Sequence, residues 1–247
     1  MADHTKPDYV SIEFPDPPAG RPYVYTNMVM SADGKVVIED TERGLGSAVD
    51  QRLMRELRVN ADVVLNGAGT LRTSGSSSRL NDPELTAVRH ARGQSPNPIA
   101  AVLTATGEVP LDRLFFTSDE FRAIVYLGSD ASSAQADAIR ETGREVVEVP
   151  TGDPGPAMLH HMHDVLGARR VLVEGGPTLN GILLDGGLVD EYFLTIGPRI
   201  VGGDETLTPV RSGRPSTAEF VQQLELVSAI PNPESGEIYA RYRRITS

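Results

Sequence analysis

The sequence predicts an α/β fold with a mixed, mostly parallel twisted sheet that is flanked by helices. Through the middle of the chain, short apolar runs typical of buried strands alternate with helical patterns. Near the C-terminus, VQQLELVSAI and EIYARYRRI are consecutive strand patterns, so an antiparallel pair is expected there. No linker composition and no internal repeat divides the chain. We therefore expect an extended, proline-rich arm over residues 1–21, followed by a single domain over residues 22–247.

The first elements in chain order are a strand, a turn and a helix. YVYTNMVMSADG predicts a strand that begins at Tyr23 and turns at Asp33 and Gly34, and KVVIE predicts a short second strand after that turn. Ser47 is a candidate N-cap, with Asp50 three residues on in place of the usual glutamate of a capping box. DQRLMRELRVN then carries leucines at helical spacing, which predicts a helix.

The middle of the chain repeats strand and helix. ADVVLNGAGT predicts a buried strand that runs into glycines, and residues 72–98 form a polar segment in which PELTAVRHAR predicts a short helix. IAAVLT, RAIVYLG, EVVEVP and RRVLVE predict strands, while SSAQADAIRETG and GPAMLHHMHDVLG predict helices that end at Gly143 and Gly167. GGPT begins a further apolar helix, and VDEYFLTIGP predicts the strand that precedes the closing pair.

The composition excludes several classes of function. The net charge is −11, and such an acidic chain argues against nucleic acid as a main partner, because that partner needs a basic face. The chain contains no cysteine, which rules out disulfides, thiolate metal sites and a cysteine nucleophile. Three histidines lie together in LHHMHD, where an exposed helix face is favoured over a metal site. With no apolar signal region and no apolar run long enough to cross a bilayer, we expect a soluble cytoplasmic protein without a membrane partner.

Two glycine-rich junctions between a strand and a helix are the strongest sign of a nucleotide. The dinucleotide fingerprint G-x-G-x-x-G and the P-loop are both absent, but GAGT at 67–70 and GGPT at 175–178 each follow a buried strand. Glycine lets a ligand approach the backbone closely, and a helix N-terminus binds anions. If the two strands were neighbours, both helix N-termini could hold one pyrophosphate. On GGPT alone, an ordinary tight turn between strand and helix is an equally good interpretation.

Four motifs in order resemble the riboflavin-biosynthesis reductases. They are TNMVMSADGKVV, LRVNADVVLNGAGTLR, NDPELTAVR and VLVEGGPTLNGILLDGGLVDEYFLTIGPRIVGG, and the resemblance spans about residues 21–245. That family comprises the reductase domain of the bifunctional deaminase–reductase and its free-standing archaeal and yeast counterparts. The resemblance implies a dihydrofolate-reductase-like fold, a homodimer and NADPH as the cofactor. It also implies the reaction, in which hydride transfer to C1′ reduces the ribose of a ribosylamino-pyrimidinone 5′-phosphate to the ribityl form.

The resemblance assigns the cofactor site to the two junctions. It places the adjacent glycines of GGPT against the nicotinamide and diphosphate, with a cis peptide bond between them, and the following residues at a phosphate. The first junction would form the other wall of the groove, while two residues at strand ends are weaker candidates that could equally be caps. The implied cofactor residues are Gly67, Gly69, Thr70, Thr104, Ser129, Gly175, Gly176, Thr178 and Leu179.

The resemblance also assigns catalytic roles to Lys35 of DGK and Glu174 of EGG. Lys35 would bind ribose hydroxyls or supply the proton that accompanies the hydride, and Glu174 would orient the pyrimidine amine or the lysine. Apart from the resemblance, a lysine after such a turn is more often a surface residue. Because the cofactor supplies the difficult chemistry, no nucleophile and no metal is required. The bifunctional relatives also carry a zinc deaminase with cysteine ligands, so we expect no deaminase in this chain.

The substrate loop departs from the family pattern D-D-P-x-L-T-x-R. Its implied substrate residues here are Asn81, Asp82, Leu85, Thr86 and Arg89. The first aspartate is replaced by Asn81, which carries no charge, and the arginine lies one residue further along, so that Arg79 or Arg92 could bind phosphate instead.

Three functions remain open on the sequence. The first is the riboflavin-pathway reductase, and the second is a related NADPH reductase of another heterocycle such as dihydrofolate or a pterin. The third is a catalytically silent NADPH-binding protein, although Lys35 and Glu174 argue against it.

Overall fold

The computed structural model describes residues 6–75, 77–203, 207–215 and 217–245. In chain order its elements are β1 Tyr23–Ser31, α1 Ala48–Asn60, β2 Val63–Gly67, α2 Ala68–Ser74, α3 Pro83–Ala91, β3 Ile99–Thr104, α4 Leu114–Thr117, β4 Ala123–Gly128, α5 Ser133–Glu141, β5 Glu145–Val149, α6 Pro154–Asp164, β6 Arg170–Val173, α7 Pro177–Asp185, β7 Glu191–Gly197, a 3₁₀ turn Ala218–Phe220, β8 Leu224–Pro231 and β9 Ile238–Arg244.

One nine-stranded sheet organises the described residues, in the order β5-β4-β3-β2-β6-β1-β7-β9-β8. The pairs from β5 to β7 are parallel, and β9 pairs antiparallel with both β7 and β8. This topology confirms the predicted mixed, mostly parallel sheet with an antiparallel C-terminal end. Strands β2 and β6 are direct neighbours, with Leu65 opposite Val173. The two glycine-rich junctions therefore lie side by side at the carboxyl edge of the sheet.

Helices cover both faces of the parallel part of the sheet, which explains why its strands read as continuous apolar runs. On one face, α6 and α7 pack Met158, Leu159 and Leu183 against the strands. On the other, α1 packs Leu53 and Leu57 against the β1 side of the sheet, while α2, α4 and α5 cover β3 and β4.

Helix α1 is held at both ends, which matters because one of its faces lines the site described below. At its start, the Ser47 hydroxyl accepts hydrogen bonds from the N–H groups of Val49 and Asp50, so the predicted N-cap is confirmed. The same Ser47 donates its N–H and its hydroxyl to the buried Glu237 carboxylate, at 2.6 Å each. The beginning of α1 is thereby tied to the residue that precedes β9.

The predicted strand over KVVIE is wrong. Residues 35–39 pair only through a single bridge from Ile38 to Thr41, and both Glu39 and Asp40 adopt a positive φ that a strand does not allow. The segment instead crosses the carboxyl edge of the sheet, where the Val36 N–H donates to the Leu207 carbonyl at 2.9 Å. The helix expected after GAGT is present as α2, whereas α4, a single short helix in a loop, was missed.

Residues 6–21 contain no helix or strand and lie against the domain. Tyr9 is buried, and its ring packs edge-on against Phe193 with 5.1 Å between centroids. The division at residue 21 stays a prediction, and its first five residues fall outside the described part. Among the described residues, no helix is both long enough and apolar enough to cross a membrane.

Candidate functional site

The two glycine-rich junctions touch through their backbones. The Gly67 N–H donates to the Gly175 carbonyl at 2.8 Å, and a Cβ on Gly67 would lie 3.5 Å from the Gly176 nitrogen. The peptide bond between Gly175 and Gly176 is cis, as the resemblance implied. Gly175 has a φ of +86°, and a Cβ there would lie 3.0 Å from the Met28 sulfur. Side chains at these positions would fill the space that the backbone leaves open.

Both junctions present helix N-termini without side-chain caps. The N-cap residues are Gly67 for α2 and Gly176 for α7, and neither receives a side-chain hydrogen bond. Proline at position 177 has no N–H to satisfy, which suits the first position of a helix. Within the described part of the chain no hydrogen-bond acceptor is found for the remaining first-turn N–H groups, and such donors bind phosphate.

A cavity of about 1150 Å³ opens over this edge of the sheet. It extends from the ends of β2, β3, β4 and β6 to α1 and to the crossing segment around residues 36–46. Single ligands occupy about 300–1000 Å³, so the cavity has room for a cofactor and a second ligand. Its lining includes the arginines Arg43, Arg55, Arg58, Arg72, Arg79, Arg113 and Arg211 and the acids Asp40, Glu42, Asp50, Asp112 and Glu174. In a chain of net charge −11, this excess of arginine suits anionic ligands.

Most of the predicted cofactor residues lie together in this cavity. Its lining includes Gly67, Gly69, Thr70, Thr104, Gly176, Thr178 and Leu179. Gly175 adjoins it through its hydrogen-bonded carbonyl. Ser129 is not part of the cavity lining. Its hydroxyl lies 3.4 Å from the hydroxyl of Thr151, which is part of the lining. The Thr104 hydroxyl accepts from the Gly107 N–H at 3.0 Å, so Thr104 also holds the turn after β3.

Glu174 lies in the cavity wall and is paired with Arg58. Two parallel hydrogen bonds of 2.6 and 2.7 Å join the guanidinium to the carboxylate, and both side chains are about nine-tenths buried. Arg58 also donates to the Arg79 carbonyl at 2.7 Å, which fixes the segment between α2 and α3. The sequence missed Arg58, although a charged residue between buried Leu57 and Val59 is a signal of such a partner.

The predicted roles of Lys35 stay a prediction. The cavity lining includes Val36 and Val37 but not Lys35, which is partly buried. Its backbone closes the turn after β1, because its N–H donates to the Ser31 hydroxyl at 2.9 Å and its carbonyl accepts from the Ser31 N–H at 2.8 Å.

The predicted substrate loop forms α3 and its packing against α1. The Asp82 carboxylate caps α3 by accepting from the N–H groups of Glu84 and Leu85, and it also pairs with Arg52 of α1. The Thr86 hydroxyl donates to the Asp82 carbonyl at 2.9 Å, and Leu85 is buried. None of the five predicted substrate residues is part of the cavity lining.

Arg89 is buried at the C-terminal end of α1. It is 2% exposed and donates to the carbonyls of Val59 and Ala61 at 3.1 and 2.7 Å. Burial lowers the pKa of Arg89, and Asp62 opposes this change. Asn81 is exposed and adopts a left-handed backbone conformation with a φ of +49°. Of the two alternative arginines, Arg79 lines the cavity, whereas Arg92 donates to the Val10 carbonyl in the arm.

One face of α1 contributes site residues that the sequence did not predict. Gln51, Met54, Arg55 and Arg58 recur at helical spacing and all line the cavity. Within the described residues Arg55 makes no ion pair or hydrogen bond, and its Nε is buried without a partner. The spacing of these side chains was the signal, but in an amphipathic helix it is typical of a solvated face.

Asp50 lies one turn before them in the cavity wall and is 9% exposed. Burial raises its pKa to about 6, although a hydrogen bond from the Thr195 hydroxyl lowers it and the charge of Glu237 raises it further. It forms no ion pair with any described residue. The predicted histidine cluster lies on α6, and no group of acids and histidines in the described ranges is placed to hold a metal ion.

Comparison with known proteins gives consistent matches. The family model described as RibD C-terminal domain matches residues 22–230. The chain is 31% identical over 195 residues to the 2,5-diamino-6-ribosylamino-4(3H)-pyrimidinone 5′-phosphate reductase of Archaeoglobus fulgidus, covering 76% of this chain and 85% of the relative. The enzyme of the same name from Methanothermobacter thermautotrophicus is 30% identical over 190 residues, covering 77% of this chain and 84% of the relative.

A solved structure matches the fold. A pyrimidine reductase-like protein from Corynebacterium diphtheriae superposes with a TM-score of 0.80 at 24% identity, covering 92% of this chain and 93% of that one.

Proposed function

The chain belongs to the RibD C-terminal domain family, and from that premise we propose that it is an NADPH-dependent reductase of riboflavin biosynthesis. Its substrate is a ribosylamino-pyrimidinone 5′-phosphate, whose ribose it reduces to the ribityl form. The relatives that cover most of this chain are named for that substrate. The observation that carries the proposal is the pair of uncapped helix N-termini, joined at the glycines of β2 and β6 and opening into one arginine-rich cavity.

The cofactor half of the cavity fits a dinucleotide. The first-turn N–H groups of α2 and α7 bind the pyrophosphate, and Thr70 and Thr178 supply hydroxyls beside it. A Cβ on Gly176 would lie 3.2 Å from the Thr70 hydroxyl, so glycine keeps the groove open. When bound, the nicotinamide would supply the hydride to C1′ of the ring-opened sugar, where the C1′–N imine double bond becomes a single bond and the nitrogen takes up a proton.

We assign the preference for NADPH over NADH to Arg72. It lines the cavity and donates one N–H to the Glu108 carbonyl at 3.0 Å, which holds the side chain and leaves further donors for a phosphate. Such a fork of donors recognises the additional phosphate of NADPH.

The substrate half of the cavity is formed by α1 and its neighbours. Arg55, which lines the cavity and has a buried Nε without a partner, binds the 5′-phosphate. Arg79 also lines the cavity and assists through the donors that its ion pair with Glu120, at 3.0 Å, leaves free. Glu174, paired with Arg58, accepts a hydrogen bond from an amine of the substrate. Lys35 stays a proposed proton donor, a role that requires its half-exposed side chain to turn towards the cavity.

The predicted loop residues act through the scaffold. Four of the predicted substrate residues hold α3 against α1 and so fix the position of α1. They are Asp82, Leu85, Thr86 and Arg89. Asn81 lies at the surface before this helix.

We also propose a homodimer formed by the antiparallel end of the sheet, in the cytoplasm as the sequence predicted. Side chains of β7, β8 and β9 that share one face are apolar, and Leu226 and Ile238 are 58% and 40% exposed. Strand β8 is also the edge of the sheet. A second copy would cover both the apolar face and the edge.

The test is NADPH oxidation, followed by absorbance, with the ribosylamino-pyrimidinone 5′-phosphate as substrate and dihydrofolate in a parallel assay. We expect rapid oxidation with the sugar phosphate and little with dihydrofolate. Oxidation mainly with dihydrofolate would move the protein to the second predicted function. NADPH binding without oxidation of either substrate would identify it as the silent binding protein.

A further inference from the structure

Asp50 is a buried carboxylate in the cavity wall that the fold does not require. The Ser47 hydroxyl caps α1, and Asp50 contributes its own N–H to that cap rather than its carboxylate. Within the described residues no arginine, lysine or histidine pairs with it, whereas Glu174, in the same wall, is paired with Arg58. A buried acid without a cation lowers stability, so its presence at a ligand cavity indicates a ligand that donates hydrogen bonds.

The surroundings hold this carboxylate in one place. The Thr195 hydroxyl of β7 lies near enough to lower the pKa of this carboxyl, and a Cβ on Gly46 would lie only 2.1 Å from Oδ2. Glu237, before β9, and Tyr9, in the arm, are the titratable groups that interact with it from the other elements. Both are neutral or negative, so neither can neutralise Asp50. A ligand must therefore supply the donors.

The pyrimidinone in the names of the relatives has hydrogen-bond donors that match a carboxylate. In a 2-amino-4(3H)-pyrimidinone the N3–H and the 2-amino group lie side by side, and a carboxylate accepts both in two parallel hydrogen bonds. In the deaminated ring, a pyrimidine-2,4-dione, the 2-amino group is replaced by a carbonyl oxygen. That oxygen would face a carboxylate oxygen, which is repulsive.

We propose that Asp50 binds the N3–H and 2-amino edge of the pyrimidinone and so selects the substrate that has not been deaminated. This rests on the proposed function and specifies its substrate. The proposal gives Glu174 and Asp50 different roles in the cavity. Glu174 is paired with Arg58, whereas Asp50 lies in the first turn of α1. Arg55, further along α1, also lines the cavity, and its Nε is buried without a partner.

The test compares the two rings in variants of Asp50. Dissociation constants of the 2-amino ribosylamino-pyrimidinone 5′-phosphate and of its deaminated counterpart are measured calorimetrically without NADPH, where no reduction can occur. We expect the wild type to favour the 2-amino ring by on the order of ten- to a hundredfold, because a mismatch leaves a buried polar group unsatisfied. Asp50→Asn should reverse this preference, since an amide offers one acceptor for N3–H and one donor for the carbonyl oxygen.

Two further variants complete the experiment. Gly46→Ala retains Asp50 but displaces its carboxylate, so the preference should fall without a change of charge. Asp137→Asn removes an exposed carboxylate on α5 and should leave both constants unchanged. Thermal unfolding of each variant verifies that it is folded.

The outcomes separate this inference from the proposed function. Equal affinities in the wild type, or an unchanged ratio in folded Asp50→Asn, overturn the role of Asp50 even if NADPH oxidation proceeds. A reversed ratio supports it even if no oxidation is seen, in which case only the proposed reaction fails. If neither ring binds to the wild type, both proposals are overturned.

Discussion

At the scale of single residues, the proposed cofactor groove depends on glycines, which have no side-chain atoms to fill it. Gly67 and Gly176 bring the backbones of two strands and two helices within hydrogen-bonding distance, and any side chain there would enter the groove. This is why the two glycine-rich junctions could be recognised in the sequence. Glycine next to proline and threonine after a buried strand is a local pattern, and it needs no knowledge of distant contacts.

Replacing Gly176 tests that dependence. Gly176→Val should weaken NADPH binding by at least a hundredfold, because its Cβ would crowd the Thr70 hydroxyl and its methyl groups would occupy the groove. Binding is measured by the change in NADPH fluorescence, and circular dichroism monitors the fold. Gly152→Val is the matched control, since a Cβ there meets nothing within 4 Å. Tight binding by the Gly176 variant would remove the cofactor assignment.

Lys35 can be tested separately from the cofactor. Lys35→Ala should leave NADPH affinity unchanged and lower kcat by about 10²–10⁴-fold, the usual contribution of a positioned proton donor. Lys35 lies outside the cavity lining, so a normal kcat would establish that it is a surface residue. Steady-state kinetics with the sugar phosphate give both values.

Asp50 should make stability depend on pH. Because burial raises its pKa to about 6, the folded state disfavours the ionised form. The free-energy penalty of ionising Asp50 in the folded state is absent below the pKa of the unfolded chain, near 3.8. This penalty develops as the pH rises to about 6 and is complete above that pH. Two pKa units correspond to about 3 kcal/mol, so Asp50→Asn should be more stable than the wild type by up to about that amount at pH 8 and equal to it at pH 3.

Urea unfolding at the two pH values measures this difference in the free energy of unfolding. Glu237 and Tyr9 interact with Asp50, so each variant is compared only with the wild type at the same pH. A wild type as stable as the variant at pH 8 would mean that Asp50 carries a compensating cation or is better hydrated than its 9% exposure indicates.

At the scale of elements, α1 and α3 form one unit that supports the substrate half of the cavity. Arg89 of α3 donates to carbonyls at the end of α1, and Asp82 pairs with Arg52. Sequence reasoning found α1, its cap and α3, because caps and apolar spacing are local. It did not find that Arg89 is buried between the helices, since that depends on how α3 packs.

Arg89→Met should therefore act on stability. Loss of the hydrogen bonds to the α1 carbonyls should lower the free energy of unfolding by about 2–4 kcal/mol, measured in urea at pH 7. KM for the sugar phosphate should change little at a temperature where the variant is folded. A stable variant with a greatly raised KM would restore Arg89 to the substrate site that the resemblance implied.

The segment after β1 that crosses the carboxyl edge of the sheet was wrongly predicted as a strand. KVVIE has strand composition, but its residues cannot pair with the preceding β1, because β6 and β7 already occupy both sides of that strand. The two valines of this segment instead line the cavity. The Ser74 hydroxyl, also in the cavity lining, donates to the Glu42 carboxylate at 2.7 Å. Composition could not predict this, since strand order is decided by the whole chain.

At the scale of the whole molecule, charge and apolar surface are distributed unevenly. The chain is acidic, yet its cavity gathers arginines from α1, α2 and four loops. The arginines come from distant parts of the sequence, so no motif revealed them. The C-terminal strands, by contrast, were predicted from their own pattern, and their exposed apolar face follows from the alternation along them.

Leu226→Arg tests the proposed association of two copies. Leu226 is 58% exposed, so a charge there should be tolerated in a monomer but disfavoured in a covered interface. We expect a dimer for the wild type and a monomer for the variant by light scattering at micromolar concentration. Arg122→Glu, on an exposed side chain at the other end of the sheet, is the control. A wild-type monomer would exclude the dimer.

The hydrogen bonds from Ser47 to Glu237 join this interface to the cavity. Glu237 directly precedes the strand that would be covered by a second copy, and Ser47 begins the helix that carries Asp50, Arg55 and Arg58. If association stiffens β9, it also fixes the start of α1, and the reverse holds when a ligand orders that helix. Thermodynamic linkage then requires that each event favours the other by the same factor. The affinity for substrate should therefore rise with protein concentration, and dilution alone should weaken it.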